Sequence, residues 1–203
     1  PGPSHVGGPG VGIPGMYEPR RIGQIHEGSA TISAMTGEIS NNHVAGGGIY
    51  YSWLFRSTPQ FAMGVHVGGS VSPSDSTLGD YQTEVTGGMV GFEGRFYIPA
   101  GLMDIWLSGV VGVGALSLTN YDLNGYETDS ITFTGGVVGV GAGINYFITP
   151  ELSVGGFVRA YRHFFKTEDT LIAPNANGAM EEFTANDYFG IWVVVGASIA
   201  LHY

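Results

Sequence analysis

The sequence predicts an all-β fold, an eight-stranded antiparallel up-and-down β-barrel that crosses a membrane behind a Pro/Gly-rich N-terminal tail. Three observations predict it. Stretches of strand length alternate apolar residues with small or polar ones, the period of a pleated strand. The connections between them alternate between very short and long. Charged residues make up only 12% of the 203 positions while 43% are hydrophobic, against a usual charged share of about a quarter. A net charge of −10 together with a slightly positive mean hydropathy requires apolar surface somewhere. No run approaches the roughly 18 apolar residues of a membrane helix, so the crossing has to be made by strands.

Residues 1–21 form the tail, punctuated by Pro1, Gly2, Pro3, Gly7, Gly8, Pro9, Gly10, Pro14, Gly15 and Pro19. Proline fixes φ and glycine loosens the chain, so this segment is expected to be extended, on the side of the short turns, and held by the lumen or by a neighbouring subunit. No basic stretch followed by an apolar one opens the chain, and the expectation is that a secretion signal has been removed. The barrel is assigned to 22–203, with strands over 24–36, 42–56, 60–72, 84–98, 103–118, 130–148, 151–164 and 187–203. Three connections are short and carry proline, at Ser57–Pro59, Pro99–Leu102 and Thr149–Pro150. The long ones include Ser72 to Thr83, Thr119 to Asp129 and Lys166 to Asn186. Short turns at one end and long loops at the other are the pattern of bacterial transmembrane barrels.

The last strand shows the alternation best. Phe189, Ile191, Val193, Val195, Ala197, Ile199, Leu201 and Tyr203 share one face, and Gly190, Trp192, Val194, Gly196, Ser198, Ala200 and His202 the other. The lumen of eight strands is about wide enough for side chains alone, so the larger aliphatic set is assigned to lipid. Strand-embedded charges then point inward: Glu93 and Arg95, Asp104, and Arg159. A four-residue turn at 99–102 would pair Tyr97 with Asp104 and bring Arg95 within reach of it. Gly109–Ala115 repeats as Gly136–Ala142, with Val111, Val113, Val138 and Val140 outward and glycines inward. A nucleotide-binding glycine loop would need a strand-to-helix transition that the pattern lacks. Aromatics fall at strand ends, as lipid-interface belts do. Tyr51, Trp53, Phe55, Phe61, Phe92, Phe96, Tyr146 and Tyr203 lie near the short turns, and Phe133, Phe164, Phe165, Tyr188 and Phe189 near the loops.

The terminal series Val195, Ala197, Ile199, Leu201 and Tyr203 resembles the C-terminal signal that the barrel-assembly machinery reads in outer-membrane barrels, which ends on an aromatic. Residues 24–203 resemble barrels of the OmpA, OmpX or OmpW type. That resemblance implies residence in the outer membrane of a Gram-negative-type bacterium, contact with its lipid and lipopolysaccharide, and an ion-paired lumen built on Glu93, Arg95 and Arg159. Its OmpW-type members imply the alternative of a narrow pore or a hydrophobic small-molecule conduit.

Little in the chain points to chemistry. Histidines at 5, 26, 43, 66, 163 and 202 have no metal-ligand spacing. His163 with Glu168 or Asp169 is the one acid–histidine grouping near a rim, and no nucleophile accompanies it, so no enzyme activity and no cofactor is expected. The acidic balance excludes nucleic acid as a partner. Acidic loops, including Asp75, Asp80, Asp122, Glu168, Asp169, Glu181 and Glu182, read as a solvated outer face, with cation bridging to lipopolysaccharide as the sharper reading. The leading functional expectation is a structural anchor or scaffold whose tail, docked through residues 1–21, or whose loops engage a protein partner.

Overall fold

The computed structural model describes residues 18–37, 45–73, 81–122, 127–166, 168–174 and 180–203. Its strands are β1 (Gly23–Met35), β2 (Gly46–Thr58), β3 (Phe61–Pro73), β4 (Tyr81–Ala100), β5 (Met103–Asp122), β6 (Glu127–Phe147), β7 (Leu152–Phe164), β8 (Thr170–Pro174), β9 (Met180–Thr184) and β10 (Ile191–His202), with a short helix α1 (Ala185–Tyr188) before the last strand. Eight of them close in the order β1-β10-β7-β6-β5-β4-β3-β2, every pair antiparallel, while β8 and β9 form a separate hairpin. Closure is completed at the chain's two ends, where Gln24 and Tyr203 exchange backbone hydrogen bonds of 3.0 and 2.9 Å.

Period-two alternation makes these segments strands and also decides which face points where. On β5, Met103, Ile105, Leu107, Val111 and Val113 are exposed, while Asp104, Trp106 and Val110 are buried. From Met103 to Val113 the outward row climbs about 25 Å at ~3.3 Å per residue and ~40° of tilt, the height of a bilayer-facing band. Above it the outward residues of β4, β5 and β6 turn hydroxylic. Ser117 lies 3.3 Å from Ser130 and 3.0 Å from Thr132. The exterior is therefore an apolar belt, and the barrel is a transmembrane one.

Three details depart from the sequence expectations. The β4–β5 turn is tighter than a four-residue one, because Gly101 takes φ 64° and lets Ala100 pair with Met103 and Pro99 with Asp104. Tyr97 consequently faces Trp106 and Arg95 faces Ser108. β4 has no β3 partner beyond Phe96, and Pro99 sits in that free stretch, where a missing N–H is tolerated. At the loop end, Asp187 and Tyr188 belong to α1 rather than to the last strand. Thr184 caps that helix, its Oγ1 accepting from the Asp187 N–H. Four of the five loop-side aromatics assigned to a lipid belt also turn inward: Phe133, Phe165, Tyr188 and Phe189 are buried, and Phe164 alone is exposed. Phe133, Phe165 and Phe189 meet at centroid distances of 5.7–5.8 Å and cap the lumen.

Candidate functional site: a filled, ion-paired lumen

Inward parity on β1, β2, β4, β5 and β7 delivers the charges to the lumen in two groups. The central group has Arg95 at its hub. Its Nη1 and Nη2 donate to the two carboxylate oxygens of Glu27 at 2.8 and 2.7 Å, and its Nε donates to Glu93 at 2.7 Å. Arg159 Nη2 lies 2.9 Å from Glu93 and 3.9 Å from Glu27. Ser52 donates to Glu93 at 2.8 Å and contacts His66 Nδ1 at 2.9 Å, while His66 Nε2 meets the Tyr161 hydroxyl at 2.9 Å. The Trp106 ring lies 4.5 Å from the Arg95 guanidinium carbon. Two carboxylates and two guanidiniums cancel, which offsets the several kcal/mol that each ion loses on leaving water.

The second group closes the short-turn end. Asp104 receives Arg56 Nη1 at 2.5 Å and Arg21 Nε at 2.8 Å. The Arg56 guanidinium lies 3.8 Å from the Tyr97 ring centroid and also donates to the Pro59 carbonyl. Arg21 reaches the lumen mouth from the segment that precedes β1. It also bonds the Gly101 carbonyl and lies over Phe147, and the neighbouring Arg20 N–H donates to the Pro150 carbonyl at 2.8 Å.

Glycines make room for the large rings between and above these groups. Tyr50 pairs across the ladder with Gly68, Trp106 with Gly143, Phe157 with Gly196 and Tyr161 with Gly139. A Cβ on any of those glycines would run into the facing ring. The ring of one strand thus covers the bare backbone of the next, a cross-strand device that pins register. Tyr50, Tyr161, His163 and Trp192 line an interior cavity of about 10 Å³, room for about one water. Glu93, Arg95, Arg56 and Trp106 have no measurable exposure.

No protein-family model matches the sequence, and no curated protein matches it. Solved structures do. Neisserial surface protein A shares 12% identity over 89% of this chain and 97% of its own, with a TM-score of 0.59. A major outer membrane protein from Thermus thermophilus shares 15% identity over 87% and 99%, with a TM-score of 0.52. The fold is that of the small outer-membrane β-barrels.

Within this barrel, Glu93, Arg95 and Arg159 lie in one hydrogen-bonded group. Asp104 lies apart from them with Arg56 and Arg21, since the tighter turn moves it two residues further from Arg95 along the ladder. Sequence reasoning missed Glu27, Arg56 and Arg21. The first two were findable, because Ile25 and Glu27 on β1, and Leu54 and Arg56 on β2, share the inward parity. Tyr51, Trp53, Phe55, Phe61, Phe96 and Tyr146 all point outward, 39–56% exposed. Val195, Ala197, Ile199 and Leu201 form the outward row of β10, with Tyr203 exposed at the seam. His163 is not assembled with an acid. It is buried, stacks on Phe165 and leaves its Nε2 without a hydrogen-bond partner, while Glu168 is exposed. Among the described residues no group of three His, Asp or Glu side chains could hold a metal ion. Residues 1–17 of the tail and the loop acids Asp75 and Asp80 lie outside the described residues.

Proposed function

We propose that this chain is a closed structural anchor of the outer membrane, with the tail or the long loops engaging a partner. The filled lumen carries the reading. Ionic at its centre and short-turn end and aromatic at its loop end, it has buried side chains at every level. Solute passage would require breaking several charge-assisted hydrogen bonds at once. The proposed orientation sets the short turns and the tail toward the periplasm and the acidic loops toward lipopolysaccharide. In this reading the outward row ending at Tyr203 is the assembly-machinery signal.

Planar-bilayer recording tests the closed anchor against the pore. Reconstituted protein is expected to be silent across a range of voltages, and a steady voltage-proportional current from the wild-type chain refutes the anchor. The tail's part is tested by deleting residues 1–17, which leaves Arg21 in place. An unchanged complex, cross-linked in intact cells, rejects partner docking through the tail.

A further inference from the structure

The short-turn rim carries a polar cluster that neither the lumen nor the apolar belt explains. His26 faces outward on β1, paired across the ladder with Trp53 of β2 and Leu201 of β10. Its ring stacks on Trp53 at 6.2 Å and 21°, and meets Tyr203 edge-on at 5.6 Å. Its Nδ1 lies 2.6 Å from the Tyr51 hydroxyl, and its Nε2 is 3.4 Å from Gln24 Oε1. The imidazole is thus clamped by three aromatic side chains at the margin of the bilayer.

The clamp does not use every proton of its polar groups. If Tyr51 donates to Nδ1, the ring proton is on Nε2, where the single contact is long and weak. If Nδ1 donates to Tyr51, the tyrosine hydroxyl keeps its own proton to give. Either way one donor is left with at most that long contact, and the Gln24 carboxamide supplies N–H groups beside it. The outward side chains of β10, β1 and β2 include no carboxylate to take these protons. Gly28, outward and next along β1, leaves open space within 4 Å of where a Cβ would stand. The rim therefore offers unspent donors beside a dent in the belt, at the depth where lipid phosphates lie.

We infer that His26, Tyr51 and Gln24, walled by Trp53 and Tyr203, bind the phosphodiester headgroup of a phospholipid in the leaflet at the short-turn end, with an acyl chain against Gly28. The inference rests on the transmembrane barrel and not on whether the lumen conducts. A barrel that conducts and still holds phospholipid therefore refutes only the anchor.

Native mass spectrometry of the full chain, released from detergent with phosphatidylglycerol or with diacylglycerol of the same acyl chains, tests it. The wild type is expected to retain phosphatidylglycerol and not diacylglycerol. His26→Phe/Tyr51→Phe, which keeps the rings and removes the donors, is expected to bind about tenfold more weakly or worse, the loss of a charge-assisted hydrogen bond. Heat-modifiable gel migration reports that the variant is folded. Gly28→Trp fills the dent across the ladder from Tyr51 while leaving every donor in the chain, and is expected to lower retention as well, which covers the case of a misfolded double variant. Equal retention of diacylglycerol, or full retention by either folded variant, overturns the inference. So does displacement of the lipid by an equal concentration of inorganic phosphate, which would make the cluster a free-anion site.

Discussion

Replacing Arg95 with methionine removes the hub of the central ion group while keeping a side chain of similar length. The lost contacts are two hydrogen bonds to Glu27, two to Glu93 at 2.7 and 3.3 Å, and one to Ser52 at 3.2 Å, together with the stack on Trp106. Two buried carboxylates then face one guanidinium, and Arg159 stands 3.9 Å from Glu27, too far for a hydrogen bond. Removing one partner of a buried pair costs about 3–5 kcal/mol, mostly from the charge left behind. That is a large part of a typical folding free energy of about 5–15 kcal/mol. Urea titration of vesicle-folded protein, read by tryptophan fluorescence and gel mobility, should show a lower midpoint at unchanged slope. Adding Glu27→Gln should recover about 1–3 kcal/mol, since it neutralises the orphaned carboxylate. A cost below about 1 kcal/mol for Arg95→Met would put the group on the footing of exposed surface ion pairs. That result, or no recovery from the second substitution, refutes the reasoning.

Asp104→Asn should weaken the seat of Arg21 and speed tryptic cleavage after Arg21 in reconstituted protein, whereas Ser57→Ala, exposed at the end of β2, should not. Gly143→Ala and Gly139→Ala push a methyl into Trp106 and Tyr161 and should each cost about 1–3 kcal/mol of unfolding free energy. Outward Gly94→Ala and Gly109→Ala, with nothing within 4 Å, should be neutral or stabilising by up to about 1 kcal/mol. Val111→Arg, on the middle of the apolar belt, should cost about 2–4 kcal/mol in the same titration. Ser117→Arg, above the belt, should cost about 0–1 kcal/mol.

Strand parity was legible because an outward and an inward residue differ by the whole contrast between lipid and a packed lumen. The last strand shows this: from Ile191 to Tyr203 every alternate residue faces out as the alternation requires. Partner choice was less legible. Parity says that Asp104 points inward but not how far along the ladder it sits from Arg95. That distance is set by Gly101 at φ 64°, a backbone state whose turn length the residue types leave open. The aromatic cap misled for a related reason. Phe133, Phe165 and Phe189 lie at strand ends near the loops, where a belt and a plug have the same composition. The hairpin β8–β9 and α1, which the alternation does not reveal, help hold Tyr188 and Phe189 inside. Arg162 secures that arrangement from the outward face, donating to the Asn186 and Phe189 carbonyls at 2.7 and 3.2 Å.

The two ends of the lumen are thus sealed by different chemistry, and this gives the barrel a direction. The loop end is closed by apolar residues, with Phe133 meeting Phe165 and Phe189 and with Val85, Leu116 and Leu118 of the long strands β4 and β5 buried in the same cluster. Such contacts are indifferent to ionic strength and strengthened by salts excluded from protein surfaces. The short-turn end is closed by Asp104 between two guanidiniums, and one of these, Arg21, is 18% exposed and therefore within reach of screening ions. Moderate salt should leave the aromatic cap in place and loosen the Arg21 side chain, which with the Arg20 N–H holds the segment before β1 at the rim. The Arg21 side chain can then leave its seat while the barrel stays closed. In the proposed anchor, that separation would let the membrane seal persist while the seat of Arg21 changes state, and it comes from placing the rings beyond the ions along the same inward rows.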